Sequence, residues 1–136
     1  MVEKTFAIIK PDAVLAGNIG QIISLIELNK FNIVGMKKLT LSRQQAETFY
    51  AVHKERPFFG ELVDYMLSGP VVIMALEKEN SISQWRDLMG ATDPKKAAVG
   101  TLRYMFGASI ANNATHGSDS AETAAQELGF FFPELA

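Results

Sequence analysis

The chain has no cysteine, so disulfides, thiolate zinc sites and cysteine nucleophiles are all excluded. Positive charge is not in excess either. The formal net charge is -2, which offers nucleic acid no bulk attraction. A nucleotide-sized anion needs only a local cluster of cations, and the net charge leaves that open. Long apolar runs are missing. The longest, Val71 to Leu76, is far too short to span a membrane, and the opening MVEKTFAIIKPD lacks the apolar core of a signal peptide. A soluble, cytoplasmic protein is the expectation. Two common phosphate-cradling loops are absent as well, since neither GxxxxGK[ST] nor GxGxxG occurs. Nor do His, Asp and Glu cluster at metal-ligand spacing.

What is present describes an ordinary globular chain. Its 136 residues fit one domain, expected over 1–136, and a chain of that size buries about two-thirds of its unfolded surface. Hydrophobic residues make up 48% and charged residues 21%, so disorder is not the dominant state.

Thr5 to Lys10 reads as a short strand ended by Pro11. Ile19, Ile22, Ile23 and Ile26 follow helical spacing over about 19–30. Ile33 to Leu41 is β-rich, with Gly35 and Lys37-Lys38 breaking the alternation, as at a bulge or an edge. Ser42 with Gln45 forms a capping-box pattern before a helix carrying Ala46, Phe49, Tyr50 and His53. Pro57 starts another, with Phe59, Leu62, Val63 and Met66 on one face. Val71 to Leu76 reads as a buried central strand. Ser81 with Gln84 suggests a second capping box, and Gly90 a helix end. Residues 91–117 hold little clean periodicity, and a long irregular stretch in a compact domain is usually functional. A short strand before His116 and a helix opened by Asp119 with Glu122, closed by Gly129, complete the chain. The order predicts an α+β, βαββαβ-like layout, an antiparallel sheet covered by helices on one face.

The histidines number only two. His116 is followed by Gly117, which permits close approach of a ligand, and by Ser118, Asp119 and Ser120 at a helix start, where free N–H groups suit phosphate. Neutral imidazole is a competent nucleophile near pH 7. Taken alone, this pattern fits a solvated loop histidine better. His53, on an apolar-spaced face, fits an internal hydrogen bond. Lys10 stands where a strand would end over a cleft, Arg86 just before Gly90-Ala91-Thr92, and Arg103 after Gly100-Thr101. Phosphoryl transfer needs such cations, yet each taken singly fits a surface charge. Phe59 joins a core face, which leaves Phe58 either to stack on a base or to be buried beside it.

Together these stretches resemble the nucleoside diphosphate kinase family, and its shorter bacterial members in particular. The resemblance rests on Ile8-Ile9-Lys10-Pro11-Asp12, His53 to Phe59, Ser68 to Val72, Arg86 through Pro94, Gly100 to Arg103, and Asn113 through Ser120, spread over nearly the whole chain. The Asn-x-x-His-Gly-Ser-Asp-Ser stretch is the family's most specific signature.

That resemblance implies a ferredoxin-like domain with a four-stranded antiparallel sheet. It implies a ping-pong reaction in which the γ-phosphate of a nucleoside triphosphate passes to His116 Nδ1 and then to a nucleoside diphosphate. By position, Lys10, Arg86, Thr92 and Arg103 would hold phosphates, and Lys10 and Asn113 would also reach the sugar. Phe58 would stack on the base, with Leu62 and Ile110 lining its pocket. Tyr50, Ser118 and Glu127 would support the histidine. Mg²⁺ is expected on the nucleotide's phosphates, without a resident metal site. The expected partners are nucleotides and copies of the same chain, in a tetramer or hexamer built from dimers, with no membrane and no specific nucleic acid.

Three positions depart from the family pattern. Met105 replaces an acidic residue, Val99 replaces a common proline, and Trp85 stands where a small or polar residue is usual. They bear on the 91–117 loop and its oligomer contacts, and are expected not to touch the nucleophile or the phosphate ligands. The Met105 and Val99 departures raise a second reading, a nucleotide-binding module with little turnover, against which the intact Lys10, Arg86, Arg103, Asn113 and His116 argue. A signalling-type histidine phosphotransfer protein would carry its histidine on a helical bundle, unlike the strand-to-helix passage expected here.

Overall fold

The computed structural model describes residues 2–110 and 112–135. Its sheet has four strands, β1 (Val2–Ile9), β2 (Asn32–Leu39), β3 (Val71–Glu79) and β4 (Thr115–Gly117), in the order β2-β3-β1-β4. All three pairings are antiparallel. β3 lies inside the sheet with Val71 to Leu76 fully or almost fully buried, as the continuous apolar run predicts. β2 is an edge, and its register shifts between Ile33 and Gly35, so the bulge and the edge position both hold.

The helices are α1 (Pro11–Leu15), α2 (Ile19–Leu28), α3 (Arg43–Phe49), α4 (Phe59–Met66), α5 (Ser81–Met89), α6 (Leu102–Phe106) and α7 (Ala121–Phe131). They cover both faces of the sheet, which corrects the one-face expectation. Alternation along β1 and β3 divides the core. Ala7, Ile9, Val72, Met74 and Leu76 pack with Ile22 and Ile26 of α2, Trp85 and Met89 of α5 and Leu102 of α6. Phe6, Ile8, Val71, Ile73 and Ala75 pack on the other side with Ala46 of α3, Val63 and Met66 of α4 and Phe131 of α7. Each large side chain so buried contributes about 1.5–3 kcal/mol.

The ends of the helices explain where local reading failed. Pro11 does not merely stop β1. It occupies the first turn of α1, where its missing N–H costs nothing. The Ser42–Gln45 capping box forms as predicted. The Ser81–Gln84 box does not. Asn80 takes the cap position in a left-handed conformation, and the Ser81 hydroxyl donates back to the Leu76 carbonyl. Gly90 ends α5 with φ +85, and a β-carbon there would meet Thr101 Oγ1 at 2.5 Å. The last helix is boxed by Ser120 with Thr123, one residue later than Asp119 with Glu122, and it runs through Gly129 to Phe131. The 91–117 stretch is less irregular than expected, with a 3₁₀ turn at Pro94–Lys96, then α6, then β4, which includes His116 itself. Among the described residues, no helix is long and apolar enough to cross a membrane.

Candidate active site

β4 pairs His116 with Ile8, so its imidazole rises on the same face as Phe6 and α7. Phe49 meets the imidazole edge-on at 4.9 Å between centroids, and Phe6 does so at 6.4 Å. Tyr50 joins this wall through Phe49, 4.9 Å away. Burial pushes the Tyr50 phenol well above its usual pKa, and Glu127 adds to the shift.

The two ring nitrogens of His116 stand in different surroundings. Nε2 is buried, 3.5 Å from Glu127 Oε2, and has no hydrogen-bond partner among the described residues. Glu127 is itself held, because its Oε1 accepts from Ser118 Oγ at 2.7 Å. A carboxylate beside Nε2 favours the tautomer with the proton there and leaves the Nδ1 lone pair free. Burial lowers the imidazole pKa below its usual value, and Glu127 opposes this only in part. The balance favours the neutral ring.

Around it the structure gathers residues that lie far apart in the chain. Lys10 Nζ donates to Asn113 Oδ1 at 2.9 Å, across 103 positions. Burial, with Arg103 nearby, pulls Lys10 down to about 8. Asn113 Nδ2 in turn donates to the Thr92 carbonyl at 3.1 Å. Arg103 is buried between two chain segments, donating to the Gly90 carbonyl and to the Thr115 carbonyl at 3.0 Å each. Its Nε is buried without a hydrogen-bond partner among the described residues, and burial beside Arg86 lowers its pKa to about 10. Arg86 reaches from α5 to Asp119 at 2.8 Å, an exposed pair that contributes little to stability. Arg86, Thr92, Lys96 and Arg103 line a cavity of about 480 Å³.

Phe58 is 45% exposed while Phe59 packs into the core, so the choice left open for Phe58 falls to exposure. Phe58, Leu62 and Ile110 line one cavity of about 400 Å³, together with Glu61 and Tyr65. Its apolar walls suit a flat ring. A further cavity of about 520 Å³ beside Pro11 and Asp12 is lined by no cation, so phosphate has no partner there.

His53 is not on the face of α3. It follows that helix in a 3₁₀ turn, where its ring lies 5.5 Å from Phe58 and 6.3 Å from Tyr50. No side-chain hydrogen bond of His53 is formed among the described residues, so the internal-bond expectation is corrected. Asp12 has a part that spacing does not reveal. Its Oδ2 accepts from the Ala114 N–H at 3.2 Å, and Tyr65 donates a short bond to its Oδ1. Ala114 has φ +75, a left-handed conformation unfavourable for a residue with a β-carbon. Lys10 N–H to the Ala114 carbonyl, at 2.8 Å, closes the clamp. Val99, Tyr104 and Met105 are all exposed. Trp85 corrects the expectation that the departures leave the nucleophile alone, since its Nε1 donates to the His116 carbonyl at 3.2 Å.

A buried histidine backed by a carboxylate on the short edge strand of a ferredoxin-like sheet, with the buried cations Lys10 and Arg103 nearby, fits a phosphotransferase of nucleotide type. The comparisons narrow the class. Residues 3–136 match the family model described as nucleoside diphosphate kinase. The chain is 60% identical over 134 residues to the nucleoside diphosphate kinase of Bordetella petrii, covering 98% of this chain and 95% of the relative. It is 56% identical over 132 residues to that of Oleidesulfovibrio alaskensis, covering 97% and 95%. The solved structure of the Aquifex aeolicus nucleoside diphosphate kinase superposes with a TM-score of 0.96 at 42% identity, over 99% of this chain and 98% of that one. A Halobacterium salinarum nucleoside diphosphate kinase in complex with CDP gives 0.93 at 39%, over 97% and 88%. The chain belongs to the nucleoside diphosphate kinase family.

Proposed function

We propose that this single-domain chain moves the γ-phosphate of a nucleoside triphosphate to a nucleoside diphosphate through a phosphohistidine on His116. The observation that carries the assignment to His116 is the pairing of its buried Nε2 with Glu127, which leaves Nδ1 as the nitrogen for attack. Nδ1 forms a bond to the γ-phosphorus as the bond to the β-phosphate oxygen breaks, and the diphosphate departs. The ring gains positive charge, and Glu127 stabilises it through the Nε2 proton across a gap that shortens as charge develops. A second diphosphate then attacks the phosphorus with its β-phosphate oxygen, and the P–N bond breaks in turn.

Lys10, Arg86, Thr92 and Arg103 hold the phosphates, and Lys10 and Asn113 reach the sugar. Phe58, Leu62 and Ile110 take the base, and Tyr50 and Ser118 keep His116 and Glu127 in place. Recognition by stacking leaves no buried polar group unpaired by the wrong base, so broad base tolerance follows. Mg²⁺ is taken to ride on the nucleotide phosphates. When bound, that ion neutralises phosphate charge. The nucleotide pools served are those of the cytoplasm. The oligomer we assign, a tetramer or hexamer of dimers, is read by light scattering on the purified protein.

Purified protein mixed with ATP alone is expected to give a trapped, acid-labile phosphoprotein and free ADP, and later addition of dTDP should discharge it as dTTP. ADP release only when dTDP is present would rule out the covalent route.

The pH profile should have two limbs. Transfer requires neutral His116, whose pKa is lowered, so the acid limb lies below pH 6.5. Free-enzyme Lys10 loses its charge as pH rises through about 8, so kcat/KM should fall above that point. A bound phosphate favours charged Lys10, which moves the basic limb upward in kcat. Lys10→Arg should erase the limb near 8. Its persistence in that variant would assign the limb to another group.

A further inference from the structure

Trp85 sits under the nucleophile from the opposite face of the sheet. It is fully buried on α5, in the cluster with Ala7 and Ile9, whereas the His116 ring rises on the Ile8 side. Its Nε1 donates to the His116 carbonyl at 3.2 Å. The same indole fills the space under Gly117, where a β-carbon would come within 2.4 Å of Cδ1 and 2.6 Å of Nε1. Phe31 meets the indole edge-on at 6.0 Å and 84° from its other side. We infer that Trp85 is a positioning residue for His116, fixing the height of β4 through this N–H bond and the contact with Gly117, and that this deepens the kinase reading on which it rests.

The physical argument starts from the weakness of β4. It has three residues and pairs with one neighbour only. Such a strand carries little pairing energy of its own, yet it holds the attacking atom. Reaction rate is steep in that atom's placement, and an error of about 1 Å costs about a hundredfold. A rigid indole bonded to the His116 carbonyl removes one direction of that freedom. Trp85 also precedes Arg86 on α5, so the nucleophile and a phosphate ligand are referenced to one helix. A smaller side chain at position 85 would leave Gly117 resting on Met89 alone and the His116 carbonyl without this donor.

Trp85 is the only tryptophan, so growth on an analogue alters this position alone. Replacing it by β-(3-benzothienyl)alanine keeps the shape and removes the N–H, while 4-fluorotryptophan keeps both. Single-turnover phosphorylation of His116 by ATP is expected to fall about tenfold with the benzothienyl analogue and to stay within twofold with the fluorinated one. ADP affinity should be unchanged in both, and the thermal midpoint should fall modestly with the benzothienyl analogue alone, by the loss of one hydrogen bond. An unchanged rate with the benzothienyl analogue would overturn the inference, as would a parallel loss of ADP affinity, which would place the effect at Arg86. If the analogue-bearing chain does not fold, Trp85→Phe carries the rate and ADP measurements with the same criteria, and its thermal midpoint is expected to fall with the lost ring volume. Absence of phosphohistidine in the unsubstituted protein would instead overturn the kinase reading.

Discussion

His116→Ala is expected to abolish trapped phosphoprotein and to lower transfer from ATP to dTDP by a factor of about 10⁴ or more. The size follows from the division of labour in the site. In the proposed site Lys10, Arg86 and Arg103 attract and neutralise phosphate, but donor and acceptor share one slot. They cannot meet for direct transfer, so without the histidine no route remains. Nucleotide binding should survive, because the His116 side chain is not needed to hold Lys10 to Asn113 or Arg103 to the Gly90 and Thr115 carbonyls. Equilibrium titration with ADP should therefore give an affinity within a few-fold of wild type. Residual transfer at a tenth of the wild-type rate would move the nucleophile elsewhere.

The second large effect is expected from Arg103→Ala, and here stability and rate should fall together. Arg103 bridges the end of α5 to the residue before His116 through two carbonyls. Its removal leaves one buried and one part-buried acceptor without this partner, a loss of about 2–4 kcal/mol in unfolding free energy. Loss of a preorganised cation facing the moving phosphate adds a decrease of about 10³-fold in kcat/KM. Arg103→Lys should recover little of either, since a point charge cannot reach two carbonyls in a fixed fork. Denaturant melts with steady-state kinetics read both quantities. An unchanged melt would show the bridge to be incidental, and an unchanged kcat/KM would remove Arg103 from the phosphate site.

The elements were legible wherever one local rule decided them. The run from Val71 to Leu76 could only be an inner strand, and Gly35 with the lysines that follow marked the irregular edge strand. Reading that run as buried already implied cover on both faces, and the one-face expectation did not follow it through. Competing local rules produced the other misses. Pro11 can end a strand or begin a helix, and only the chain around it chooses. Ser81 fits a capping box, but the left-handed Asn80 takes the cap first.

The candidate site residues were nameable because the motif around His116 and the Lys10 stretch resemble a known pattern. Their convergence was not legible, since no spacing links Lys10 to Asn113. The clamp of Asp12 and Tyr65 on Ala114 stayed hidden for the same reason, although Asp12 lay inside a quoted stretch. Trp85 was visible only as an unusual residue, and its meaning needed the contact with Gly117.

The pairing of β4 with β1 has a consequence for how the molecule comes into being. The strand that bears His116 is made long after the strand it must join, and the carboxylate behind the ring is made later still, on the last helix. Contacts so distant in the chain close late in folding, because the loop entropy is lost before they contribute anything. A chain emerging from the ribosome thus carries Lys10 and Arg86 before the proposed nucleophile exists. Transfer through His116, as proposed, has to wait until β1, β4 and α7 have met.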